Sequence, residues 1–120
     1  DHFQTLLRKN YIGMHATVMF RREAFDEVLY DTTLKACEDY DIYLKIAKKH
    51  PIAHHNKVLS VYRRHQENMS NNIPFMLSTV LKVLNRQKHN ITTNYFLINI
   101  KTAPIHSSIY YFYLTPISLK

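Results

Sequence analysis

The run Glu38-Asp39-Tyr40-Asp41-Ile42-Tyr43-Leu44-Lys45-Ile46-Ala47-Lys48-Lys49 carries the clearest helical pattern in the front half of this 120-residue chain. On a helical wheel Tyr40, Tyr43, Leu44 and Ala47 share one face, while Ile42 and Ile46 occupy nearly the opposite one. Asp41, Lys45, Lys48 and Lys49 fill the gap between them. A helix that is apolar on two sides packs on two sides, so the spacing predicts a well-buried helix. His50-Pro51 ends it, because the residue before a proline avoids the helical region.

Outward from this helix the signals are shorter. Phe3 to Lys9 reads as the end of a helix, with Phe3, Leu6 and Leu7 on one side. Thr17-Val18-Met19-Phe20 reads as a buried strand, and Glu23 to Val28 as helical with Ala24, Phe25 and Val28 inward. Asp31-Thr32-Thr33 is loop chemistry. Lys57 to Arg63 alternates, with Val58, Ser60 and Tyr62 set against Leu59 and Val61, and is predicted to be a strand. Asn68 to Asn72 supplies a cap for a helix whose first turn holds Pro74. Its stripe is Met76, Leu77, Val80, Leu81 and Leu84, ending near Gln87. From Asn90 the chain is rich in Thr, Ile, Tyr and Asn and reads as β or irregular.

Composition excludes several classes. The apolar fraction of 46% and the charged fraction of 21% suit one globular domain rather than a disordered chain. Gly13 is the only glycine, which rules out a P-loop and a dinucleotide fingerprint. Cys37 is the only cysteine, so there is no internal disulfide and no multi-cysteine zinc motif. The net charge of +7 is uneven: eleven basic residues against nine acids leave +2 up to Glu67, and five basic residues with no acid follow. Asp1-His2-Phe3 has neither the basic start nor the apolar core of a signal peptide, and without an initiator Met the expectation is of a piece of a longer protein. Thr102 to Leu119 is uncharged over 18 residues, but two prolines, His106 and two serines make it a poor membrane span.

Two constellations bear on chemistry, and each has a plain alternative. Glu38 and Asp39 head the buried helix, where acids are favoured by the helix dipole and the unpaired first-turn N–H groups. The functional reading is a general base, a carboxylate kept ionised and ready to take a proton from a hydroxyl. Asp39-Tyr40-Asp41 spells a D-x-D, but residues two apart on a helix diverge by about 200° and cannot share one ion. His50, His54 and His55 lack the partners of a recognised zinc site. The stretch Tyr62-Arg63-Arg64-His65-Gln66-Glu67-Asn68-Met69-Ser70 gathers two guanidiniums, an imidazole, an amide and a hydroxyl after a strand. Guanidinium forks match phosphate oxygens, and a neutral imidazole can ligate a metal bound to that phosphate. The alternative is a solvated loop after an edge strand.

Taken together, three segments resemble the second half of a family 2 glycosyltransferase domain with the GT-A fold. They are Gly13-Met14-His15-Ala16-Thr17-Val18-Met19-Phe20-Arg21-Arg22 with Glu23-Ala24-Phe25, then Ala36 through Ala47, then Tyr62-Arg63-Arg64-His65 with Asn68 and Ser70. Coverage runs from about residue 10 to residue 90. The resemblance implies an α/β fold: a partial GT-A-like domain of short mixed strands packed with two to three helices. It would span residues 1–90, lack the N-terminal nucleotide-binding βαβ half, and be followed by a divergent tail over 91–120.

It also implies an inverting transfer of a sugar from a nucleotide-diphosphate donor to an acceptor hydroxyl, in the making of cell-envelope polysaccharide. Asp39 would be the base, and Glu38 would position the acceptor or orient Asp39. Gly13, Met14 and His15 would fall near the sugar and acceptor. Arg63, Arg64 and His65 would lie near the diphosphate and its divalent metal, Mg or Mn, with His65 as a ligand. The main metal-binding D-x-D belongs to the half this chain lacks, so the chain alone is expected to be inactive. Lys45 stands where the family commonly has arginine. The implied location is cytoplasmic, with peripheral association at the inner face of the plasma membrane; no nucleic acid is expected. The competing readings are a small basic nucleic-acid-binding module and an interaction module in which Tyr110 to Tyr113 pairs with a partner's strand.

Overall fold

The computed structural model describes residues 1–63, 65–87 and 89. Helix α1 is His2–Arg8, α2 is Glu38–Ala47 and α3 is Ile73–Asn85. Short 3-10 turns lie at His15–Thr17, Arg22–Phe25 and Met69–Asn71. Among the described residues there is no strand.

This corrects the expected α/β architecture: the described chain is helical and forms no mixed sheet of the GT-A kind. The reason lies in what a strand requires. β-rich residues favour an extended backbone, but a ladder exists only where a neighbouring strand takes its N–H and C=O groups. At Thr17–Phe20 the first residue is drawn into a turn, with Thr17 N–H donating to the Met14 carbonyl and Val18 N–H to that of His15, both at 3.1 Å. Met19 is 96% exposed. From Pro51 to Arg63 the chain carries no helix or strand, and among the described residues the one backbone N–H engaged is that of Lys57, held by His55 Nδ1 at 3.1 Å. Val58, Leu59, Val61 and Tyr62 are exposed there. The predicted β-rich tail over 91–120 lies outside the described residues.

The helices form where the periodicity places them. Asp1 caps α1 by accepting from Gln4 N–H at 3.1 Å, and Phe3, Leu6 and Leu7 are buried. In α2, Tyr40, Ile42, Tyr43, Leu44 and Ile46 are buried, as a two-sided apolar pattern requires. Asn72 caps α3 by accepting from Phe75 N–H at 3.2 Å, with a proline in the first turn. The buried side of α3 is Met76, Thr79, Val80, Val83 and Leu84, while Leu77 and Leu81 are half-buried. In the region 23–28 the chain forms no α-helix, only the 3-10 turn Arg22–Phe25, yet it buries Ala24 and Val28 as expected.

Helix α1 packs on α2, and side chains of all three helices join one core. Full burial of a Leu or Ile side chain contributes about 1.5–3 kcal/mol, so α2, with Ile42 and Leu44 at zero exposure, is the centre of the fold. Any residue at its amino end is therefore held in place by the core.

Candidate functional site

That amino end is reached through an unusual turn. Cys37, the residue before α2, has φ 59°, a left-handed conformation that costs a non-glycine residue roughly 1–2 kcal/mol. Its side chain makes no capping hydrogen bond, so the first-turn donors are met otherwise. Tyr40 N–H donates to Asp39 Oδ1 at 2.7 Å. Asp39 is half-buried and Glu38 exposed. Burial pushes the Asp39 carboxyl above the usual aspartate range and the charge of Glu38 adds to this, while the Tyr40 N–H and His15 pull the other way without reversing it.

His15 comes to the same place from the 3-10 turn at residues 15–17. Its Nδ1 lies 3.2 Å from Tyr43 Oη and its Nε2 2.9 Å from Tyr30 Oη. The ring stacks on Tyr43 at 5.9 Å and meets Phe20 at 5.7 Å. Phe25 stacks on Tyr30 at 5.9 Å. Burial raises the pKa of both tyrosines, and the charges of Asp39 and Glu38 raise them further, so both phenols stay protonated at neutral pH. The arrangement is two carboxylates beside a cluster of five linked rings, with a hydroxyl on either side of an imidazole.

Of the residues singled out by sequence, Glu38 and Asp39 open α2, and His15 meets that helix at Tyr43, one turn beyond Asp39. Gly13 and Met14 lead into the His15 turn: Gly13 takes φ 75°, and its N–H donates to Asn10 Oδ1 at 3.3 Å. Arg63 and His65 sit in an exposed loop braced from within, Asn68 Nδ2 donating to the Arg63 carbonyl at 3.1 Å and Asn71 Nδ2 to that of His65 at 3.0 Å. No hydrogen bond or ion pair among the described residues ties that loop to Asp39. Arg64 lies outside the described residues. Among the described residues no three His, Cys, Asp or Glu side chains converge. Asp39 and Asp41 do diverge, as their spacing requires.

Sequence reasoning missed two things. Tyr30 follows Leu29 with no pattern around it, and only its place in space makes it part of the cluster. Asp41 was counted with the polar gap of the wheel, but it is fully buried. Arg86 Nη1 donates to its Oδ1 at 3.2 Å, and Lys45 Nζ sits 2.7 Å from Oδ2 in a charge–charge contact. Arg86 also pairs with Asp31 Oδ2. The acid-to-base spacing at 41 and 45 was readable as an i,i+4 pair, but Arg86 is 45 positions away. A groove of about 370 Å³ runs beside these residues, lined by Glu27, Leu29, Lys45, Lys49 and Arg86 among others, and it takes in none of the expected site residues.

No protein-family model, curated protein or solved structure matches this chain. No helix among the described residues is long and apolar enough to cross a membrane.

Proposed function

We propose that this chain serves the transfer of a sugar from a nucleotide-activated donor to an acceptor hydroxyl, with Asp39 as the base. The observation that carries this reading is a carboxylate held at the head of the most buried helix, its pKa raised by burial, beside an imidazole and two phenols. An acceptor hydroxyl is a weak nucleophile. A carboxylate of raised basicity takes its proton more readily as the oxygen closes on the anomeric carbon. The new C–O bond forms, the bond to the donor's phosphate oxygen breaks, and the diphosphate leaves with that electron pair. Arg63 is the cation that the resemblance assigns to the departing charge. No step is routed through a metal. The test is release of nucleoside diphosphate by the native protein that carries these residues. Asp39→Asn is expected to cut turnover by about 10²–10⁴-fold with donor binding unchanged. Undiminished turnover removes Asp39 from this role.

A second reading is favoured by one observation: Val58, Leu59, Val61 and Tyr62 lie exposed on a segment with no helix or strand, and among the described residues none of their backbone groups bonds to another backbone group. This is the form of a non-catalytic interaction module that adds a strand to a partner. Such a protein releases no diphosphate from any donor, and its amides at 58–62 gain protection from exchange only when a partner is bound.

A further inference from the structure

We infer that the segment Lys57–Arg63 docks an extended peptide whose apolar middle is flanked by acidic residues. This rests on the strand-adding reading above and names the partner that the segment takes. Val61 is 88% and Leu59 58% exposed, whereas Ser60 is half-buried with its hydroxyl shielded from water. The Tyr62 hydroxyl is held by the turn that leads into α3: it lies 3.2 Å from Ser70 Oγ and accepts from Asn68 Nδ2 at 3.3 Å. Val58, toward the other end, is exposed as well. Side chains alternate along a strand, so in that geometry Lys57, Leu59, Val61 and Arg63 share the open side, and Ser60 and Tyr62 the held one. Asn68 Nδ2 also donates to the Arg63 carbonyl at 3.1 Å. One end of the segment is thus positioned in advance, which lowers the ordering cost of binding.

Charge selects the occupant. A cation stands at each end of the open side, Arg64 follows in the sequence, and no acid occurs between Asp41 and Glu67. Lys57 and Arg63 are exposed, and among the described residues no ion pair engages either. A second copy of the segment fits poorly. Antiparallel pairing about Ser60 sets Lys57 against Arg63, and parallel in-register pairing sets each cation beside its own copy. Residues 91–120 carry Lys101 and Lys120 and no acidic side chain, so they offer neither cation a counter-charge. A peptide with acids spaced as 57 and 63 are, and apolar residues at the alternate positions between, meets both cations together with Leu59 and Val61. Its backbone takes the N–H and C=O groups of 58–62, which among the described residues bond to no other backbone group.

The experiment is amide hydrogen exchange with binding isotherms on the native protein that carries these residues. The probe is a capped seven-residue peptide with glutamate at both ends, valine at its third and fifth positions and threonine between them. Its counterpart has lysine at both ends. The glutamate peptide is expected to slow exchange at 58–62 and to bind about tenfold tighter than the lysine peptide at low salt, a gap that narrows as salt rises. Lys57→Glu combined with Arg63→Glu should reverse the preference, and since both residues are exposed the swap leaves the core intact. An unreversed preference overturns the inference. Protection by both peptides alike overturns the acidic partner and keeps the strand-adding reading, whereas protection by neither overturns both. Protection at 58–62 before any peptide is added also overturns the inference: lost on dilution, it marks a second copy as the occupant, and kept on dilution, a segment of the same protein.

Discussion

The hydroxyl of Tyr40 donates to the main-chain carbonyl of Leu6 across 2.6 Å, inside the core. Leu6 lies in the last turn of α1, where carbonyls have no partner within the helix. A side chain from α2 thus completes the hydrogen bonding of α1 and fixes how the two helices meet.

Removing that hydroxyl leaves a buried carbonyl unsatisfied. Tyr40→Phe is expected to cost about 1–3 kcal/mol with the ring still packed, seen as a lower urea midpoint at unchanged m-value. A loss below about 0.5 kcal/mol would mean that water reaches the carbonyl.

The buried charge of Asp41 depends on two cations that are themselves about one-third exposed. Lys45→Met with Arg86→Met strands the carboxylate and is expected to cost about 3–5 kcal/mol, more than the two single changes predict by addition. Adding Asp41→Leu to that pair should recover most of the loss, because apolar groups of similar volume replace the ion cluster without a desolvation penalty. A triple variant no more stable than the double shows that the charges set the geometry of the fold.

Acid unfolding should report on Asp31. Its carboxylate accepts from the Thr33 hydroxyl at 2.6 Å and from Thr33 N–H at 2.8 Å, and together with Arg86 these bonds hold it well below the usual aspartate range. The folded state therefore binds this proton less readily than the unfolded chain. The resulting stability is present above the ordinary value of 3.8 and is lost as pH falls through the lowered one. Asp31→Asn should lower stability at pH 7 and flatten the acid limb of a stability–pH curve between about pH 2 and pH 5.

Asp39 carries the opposite sign. Its folded pKa is raised, so its contribution is present below the ordinary value of 3.8 and is lost as pH rises through the raised one. At neutral pH the charged form is a burden on the fold, and Asp39→Asn should raise the thermal midpoint by about 2–5 °C while cutting turnover by about 10²–10⁴-fold. A lowered midpoint would mark the residue as a helix-capping acid instead.

What was legible in the sequence follows from the range of each interaction. Helices α2 and α3 could be read because their signals are local: apolar residues at 3.6 spacing, Asn72 as a cap, Pro74 in the first turn. The segment Lys57–Arg63 reads as a strand from equally local alternation, but its pairing partner is not a local property, and among the described residues it has none. At the site, Asp39 and Glu38 stood out because two acids head a helix. The link from His15 to Tyr43 spans 28 positions and that from Tyr30 to His15 spans 15, with neither spacing tied to any regular element. Their assembly depends on the turns at 15–17 and 22–25, which only overlap the strand expected at Thr17–Phe20 and the helix expected at Glu23–Val28.

The bare stretch between α2 and α3 also governs how the molecule comes apart. A trypsin-like enzyme needs several residues of solvent-facing chain free of main-chain hydrogen bonds, and Lys57 and Arg63 offer its cleavage chemistry there. Limited digestion should nick the chain at those two points before any helix is attacked. The two large fragments, 1–57 and 64–120, should still elute as one particle, because the guanidinium at the end of α3 grips carboxylates at positions 31 and 41 on the other piece.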